Sequence, residues 1–329
     1  RLNFDKAYDF YGFNGYRSNF SQEMVDKGAD AESMVPIFTP FYRYGRNEYL
    51  FKSDFLGRIN DHLQWGAGVF VNYFDLSSID YESVNKGKEA SKKFAGMTLY
   101  DAYKLSGAIS EEEADGGLSA GFRAGMVYDS RDKEGAPSSG IWAAAHIIGA
   151  LPGVSETPYA RFSATWRHYL PIISHDVLTF AYRLNYEGSL FGTAPFYALS
   201  YMTMLGDKND LEGMGGYNTV RGLMRTRVIG DDMATYNAEL RWRFMKFNLG
   251  KQNIALGRNL FSDGSEVTRG RDLAFNGDDE WLESYEDYMA LGQAHDTFHA
   301  TIGAGFRFIM NENFIVAAEY GTPFSNFIK

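Results

Sequence analysis

The residues that could do chemistry here are chiefly arginines and carboxylates at alternating positions, among them Arg123, Arg161, Arg167, Arg183, Glu187, Glu239, Arg241, Arg243, Arg307 and Glu319. A guanidinium facing a carboxylate in fork geometry binds by paired, charge-assisted hydrogen bonds. Such groups hold a chain segment in place or select a charged solute. Residues for covalent or metal chemistry are sparse. The chain has no Cys, which excludes disulfides, thiol catalysis and Cys-ligated zinc. Its six His show no His-Glu-x-x-His spacing, and His146 and His299 read as wall residues rather than metal ligands. Gly117-Leu118-Ser119-Ala120-Gly121 matches the Gly-x-Ser-x-Gly nucleophile pattern, but it opens an alternating run with no strand–turn–helix elbow behind it, so the match reads as accidental. Gly66-x-Gly68 and Gly303-x-Gly305 have no helix start after them to cradle a phosphate. The acidic runs Glu111–Glu113, Asp278–Glu280 and Glu283–Asp287 read as solvated loop charge. No catalytic residue, cofactor or metal is expected, and the protein reads as a non-enzyme.

The elements that must position the arginines are strands. In Thr235–Met245, Tyr236, Ala238, Leu240, Trp242 and Phe244 alternate with Thr235, Asn237, Glu239, Arg241 and Arg243. The same period of two runs through Phe298–Met310, Gly117–Asp129 and Val177–Glu187. It recurs less regularly at 48–59, 63–76, 140–150, 158–170, 253–266 and 314–324. These runs of about 10–14 residues exceed the usual globular strand and suffice to cross a bilayer when tilted. One face suits lipid and the other a wet lumen, so the expected fold is all-β, a transmembrane up-and-down antiparallel β-barrel.

Composition agrees. Of 329 residues 16% are aromatic and 35 are Gly, as many paired strands need. The net charge of −10, with Lys and Arg outnumbered and scattered, argues against a nucleic-acid partner. No stretch reads as a membrane-spanning helix. Short turns at Asn60-Asp61, Pro171–His175, Asn248–Gln252 and Asn311–Asn313 interleave with long polar segments at about 77–115, 191–233 and 268–295, as turns and outer loops do in outer-membrane barrels. The connection 130–139 is long for a turn, and 151–157 is short for an outer loop. Residues 1–35 read as the tail of a loop. Trp281, Tyr285 and Tyr288 have near-helical spacing and suggest one short loop helix. No signal peptide is read in the first residues, and the chain is expected to be a mature protein or a piece of one.

Several motifs give the barrel a family. Gly215-Gly216-Tyr217-Asn218-Thr219-Val220-Arg221-Gly222 resembles the Val-Arg-Gly-Phe/Tyr loop motif of the Omp85 superfamily of outer-membrane assembly and translocation barrels, with Leu223 in place of the aromatic. Tyr128-Asp129-Ser130-Arg131-Asp132, with Pro137 and Gly140 following, is similar to that family's strand-end motif. Phe261-Ser262-Asp263-Gly264 approximates its Phe-x-Asp-x-Gly strand with the glycine one position early, and 303–308 and 313–324 resemble its final strands. The matches fall in the family's order over about 117–324.

The resemblance implies a bacterial outer-membrane protein. It implies that the loop holding Val220, Arg221 and Gly222 folds into the barrel and that Arg221 pairs with an acidic residue of the inner wall. Asp263 is the first candidate partner and Glu239 the second. Tyr128, Asp129, Arg131 and Asp132 read as a structural strand end, with the turn shaped by Pro137 and Gly140. The family barrel has about sixteen strands, so with about ten recognisable here the chain, read as one barrel domain over 1–329, is expected to lack strands at both ends and to carry no POTRA domain. The implied partners are outer-membrane lipid, client or exported β-barrel proteins, and accessory outer-membrane or periplasmic subunits. The implied activity is outer-membrane protein assembly and insertion, in which the family's first and last strands form a weak seam, or protein translocation. Two alternatives stand beside it: a pore or substrate-specific translocator, and a structural subunit of a surface complex.

Overall fold

Alternation becomes pairing. The computed structural model describes residues 7–14, 40–90, 93–94, 97–205, 211–273 and 298–324. Its strands are β1 (Ala7–Asp9), β2 (Arg43–Arg58), β3 (Leu63–Ser77), β4 (Gly116–Asp129), β5 (Gly140–Ala150), β6 (Tyr159–Ile173), β7 (Leu178–Phe191), β8 (Tyr201–Met202), β9 (Leu211–Glu212), β10 (Asp232–Leu249), β11 (Gln252–Arg269), β12 (His299–Met310) and β13 (Phe314–Pro323). Eleven of them form one antiparallel sheet in the order β1-β2-β3-β4-β5-β6-β7-β10-β11-β12-β13, and β8 and β9 make a separate small hairpin. Each strand of the large sheet lies beside its sequence neighbour, interrupted only by that hairpin. This is the up-and-down topology of a barrel wall.

Burial across the wall is inverted relative to a soluble sheet. On β4 the polar-face Arg123 is 1% exposed while its apolar neighbours Phe122 and Met126 are 53% and 45% exposed. The same holds for Asn185 against Leu184 and Tyr186 on β7. Apolar side chains therefore cover the outer surface, where lipid belongs, and polar ones line the concave surface.

What covers the polar side is the segment between β7 and β10. Ser200 accepts from Arg46 on β2 (3.0 Å), and Met204 O accepts from Arg123 on β4 (2.8 Å). Thr203 meets His146 on β5, Ser163 on β6 and Glu187 on β7. Farther along, Arg183 on β7 donates to the carbonyls of Asn218 and Thr219, and Asn237 on β10 donates to Thr219 O. A single segment reaches strands from β2 to β10, and Arg221 carries it to β13. The sheet must therefore curl around it. At the short-turn end Lys133, between β4 and β5, pairs with Glu312, between β12 and β13.

Two expectations need correction. Residues 1–35 were expected to be a loop tail, but Ala7–Asp9 pairs with Arg43–Gly45 as β1. Three residues are too few to show a period. The segment 77–115 was expected to be a solvent-facing loop, whereas it folds into helices α1 (Tyr81–Asn85), α2 (Leu99–Leu105) and α3 (Glu111–Ala114); α4 (Ser174–Val177) forms a turn, and α5 (Phe196–Leu199) belongs to the lumenal segment. Thr98 caps α2 by accepting from Asp101 N (3.1 Å). One face of α2 buries Leu99, Tyr100, Ala102 and Tyr103 against Phe10, Phe13, Tyr44, Phe196 and Tyr197. Edge-to-face contacts at 5.2 Å (Phe10–Tyr103) and 5.5 Å (Phe10–Phe196) build this aromatic cap. The expected loop helix around Trp281, Tyr285 and Tyr288 lies outside the described residues, as do the acidic runs at 278–287.

Candidate functional site

Arg221 is the centre of the lumenal cluster. It sits in the irregular stretch between β9 and β10, and its backbone N and Nε both donate to Asp263 Oδ2 (3.0 and 2.7 Å) while Nη2 donates to Oδ1 (2.8 Å). Nη1 lies 2.6 Å from Glu239 Oε1 and 2.9 Å from Glu319 Oε2. The three carboxylates come from β11, β10 and β13, so one side chain ties the loop to three strands. The guanidinium also lies 3.6 Å from the centre of the Phe261 ring. Burial opposes the charge on Arg221, but the hydrogen bonds it donates to Asp263 and the nearby Glu239 carboxylate outweigh it and raise its pKa above the ordinary arginine value.

Neighbouring residues make room for this contact. Gly303 on β12 leaves space for Phe261, since a Cβ there would stand 2.3 Å from the ring. Gly222 has φ +93°, and a Cβ on it would lie 2.8 Å from Thr322 N, so the loop backbone rests directly on the backbone of β13. Val220 is fully buried beside it. Gly264, one position early relative to the family pattern, lies on the lipid side under Tyr236, while the lumenal position after Asp263 is held by the buried Ser265.

Sequence reasoning named Asp263 and Glu239 as partners of Arg221, and the structure brings both to it. It missed Glu319 as a partner. That residue was visible on the polar face of the last run, but nothing in one sequence says that β13 and β10 meet at the same loop. Glu239 Oε2 also accepts from Arg241 Nε (2.6 Å) and Arg307 Nη2 (3.2 Å), and Glu319 Oε1 accepts from Arg307 (3.0 Å) and Asn259 (2.8 Å). The result is a continuous charge network rather than one pair.

The strand-end residues lie apart from it. Tyr128 faces outward near His62. Asp129 holds Arg131 through two bonds (2.9 and 2.6 Å), and Asp132 Oδ1 accepts from the backbone N–H of Ser138 and Ser139 (2.9 and 3.1 Å). These contacts shape the 130–139 connection, which Arg243 reaches by donating to Ala136 O (2.9 Å). Ser119 of the Gly-x-Ser-x-Gly match sits in β4, paired with Asn72 of β3.

Comparison with known proteins bears on the whole chain. An Omp85 superfamily domain model matches residues 14–326. No curated protein matches the sequence. Among solved structures the fold is similar to BamA from Haemophilus ducreyi lacking POTRA domains 1–3, at 15% identity and a TM-score of 0.56, covering 87% of this chain and 52% of that one. CdiB from Escherichia coli aligns at 10% identity and a TM-score of 0.46, covering 85% of this chain and 42% of that one. The chain thus spans about half the length of these structures, and at such identity the likeness to BamA is one of fold. With the family match running over nearly the whole sequence and an antiparallel barrel wall beneath it, the chain belongs to the Omp85 superfamily.

Proposed function

We propose that this chain is the barrel unit of a bacterial outer-membrane protein that assembles and inserts other β-barrel proteins, and that Arg221 is the anchor of its lumenal loop. The observation that supports this reading is the pinning of Arg221 to Asp263, Glu239 and Glu319. A segment fixed across the lumen narrows the path for free diffusion, and the cluster holds one against the wall. With the lumen occupied, the working surface for a client strand is the sheet edge, where unpaired N–H and C=O groups template an incoming strand. No cofactor or nucleotide enters this mechanism; its partners are lipid and client polypeptides.

Depletion of the protein in its native cell, followed by quantitative proteomics of the outer membrane, tests the reading. General loss of β-barrel proteins is the expected result. Loss of a single protein, or of one nutrient uptake with other barrels intact, would replace it with a dedicated translocator.

A further inference from the structure

Below the Arg221 loop, toward the short-turn end, the lumen holds a cavity of about 230 Å³ lined by Arg167, Arg183, Arg221, Arg241 and Arg307. Three carboxylates serve these five guanidiniums, Glu239, Glu319 and Asp263, leaving a surplus of two positive charges. The surplus lies on Arg167 and Arg183. They face each other as register partners across β6 and β7, where like charges repel. Neither is paired with a carboxylate among the described residues. Arg183 spends its donors on Asn237 and on the loop carbonyls of Asn218 and Thr219. Arg167 donates no hydrogen bond to a described residue; its guanidinium lies 4.6 Å from the Trp142 ring centre, and its Nε is buried without an acceptor, as is Arg307 Nε. Both residues are only partly buried, yet like charges held together without a counter-charge are costly, and the buried, unsatisfied Nε of Arg167 adds to that cost.

We propose that this cavity is a binding site for a phosphate-type oxyanion. A phosphate carries about −1.5 to −2 charge at neutral pH and several acceptor oxygens, which matches both the surplus and the free donors. Arginine forks suit its geometry better than point charges do. The loop at Tyr217, Asn218 and Arg221 forms one wall of the cavity, so the occupant is a small anionic group rather than a polypeptide in transit. The bound anion would brace β6 and β7 against the loop through Arg183, coupling phosphate binding to loop docking. Inorganic phosphate and a lipid phosphomonoester share this chemistry.

The test is calorimetric titration of the full chain in detergent with inorganic phosphate at constant ionic strength, against a chloride blank, beside thermal melting in nanodiscs with and without phosphatidate. Saturable phosphate binding, weakened about tenfold in Arg167→Gln and less in Arg167→Lys, is the expected result for free phosphate. Stabilisation by phosphatidate alone, lost in Arg167→Gln, would identify a lipid headgroup as the source of the same anion. Arg58→Gln, an exposed charge at the end of β2, should leave binding unchanged. Heat-modifiable migration reports that each variant is folded, and Arg167→Lys keeps the comparison available if Arg167→Gln is not. Absence of binding above the chloride blank and of any phosphatidate effect, or equal binding by wild type and Arg167→Gln, would overturn the proposal.

Discussion

Arg271 and Glu113, 158 positions apart in the chain, meet inside the outer cap with Nη1 3.0 Å from Oε1 and both side chains almost wholly buried. Glu113 Oε2 also accepts from Phe196 N (2.8 Å), and Arg271 donates to Ala194 O and approaches Asp231 (3.4 Å). Asn14 brackets the Arg271 backbone, donating to its carbonyl (2.7 Å) and accepting from its N–H (2.6 Å). One ion pair thus joins the first strand's exit, helix α3, the start of α5 and the exit of β11.

Glu113→Gln should loosen this cap without dissolving the barrel. Removing one partner of a buried pair typically costs ~3–5 kcal/mol, and the interstrand hydrogen bonds remain. New protease cleavage within 97–115 and 192–205, with heat-modifiable gel migration unchanged, is the expected outcome. An unaltered cleavage pattern would mean that the aromatic packing alone holds the cap.

Arg221→Ala should free the lumenal loop in the same local sense, since it cuts the loop's ties to three wall carboxylates at once and leaves the buried Asp263 carboxylate without its side-chain partner. Protease sensitivity is expected to appear in 211–231, the barrel still migrating as folded. Arg221→Lys should be intermediate, because an ammonium cannot keep both bonds to Asp263 and a third to Glu319. Wild-type protease resistance in Arg221→Ala would sink the anchor role.

Legibility in the sequence followed the range of the physical signal. Alternation assigns Asn237, Glu239 and Arg241 to the lumen and Leu240 and Trp242 to lipid because a long strand repeats one local rule. The aromatic cap obeys no such rule: α2 spans only seven residues, too few for a clear amphipathic period, and its core partners Phe10 and Phe196 are remote in sequence. Glu113 shows the same limit. It is one of three consecutive glutamates, of which Glu111 and Glu112 are exposed, and nothing local marks which one turns inward. Arg221 was legible through its motif, while Glu319 and the arginine cavity depend on which strands the curl brings together.

Gly222→Ala should undock the loop while leaving every charge in place. The added methyl would meet Thr322 N at 2.8 Å and the Gly321 carbonyl carbon at 2.9 Å, at a φ of +93° that costs an L-residue on the order of 1–3 kcal/mol. The double variant with Arg221→Ala should be little worse than either single one, since both remove the same docked state. Additive losses would mean that the glycine and the arginine hold different parts of the loop.

Asp132 offers a contrast between charge and hydrogen bonding. Asp132→Ala leaves the N–H groups of Ser138 and Ser139 without their acceptor, a loss of about 0.5–1.5 kcal/mol confined to 130–139, since water reaches this exposed site. Asp132→Asn keeps an acceptor oxygen and should be nearly neutral in urea unfolding. If the two variants were equally destabilised, the carboxylate charge rather than the acceptor would be what this connection needs.

Conductance separates the assembly reading from the pore reading. A lumen crossed by a pinned loop should pass small, flickering currents in planar bilayers, because ions must find their way around the segment that Arg221 holds against β10, β11 and β13. Arg221→Ala should enlarge and lengthen the openings as that segment swings free. Large steady openings in the wild type, unchanged by Arg221→Ala, would mean that the loop does not obstruct the path, and the lumenal arginines would then be acting on solutes in transit.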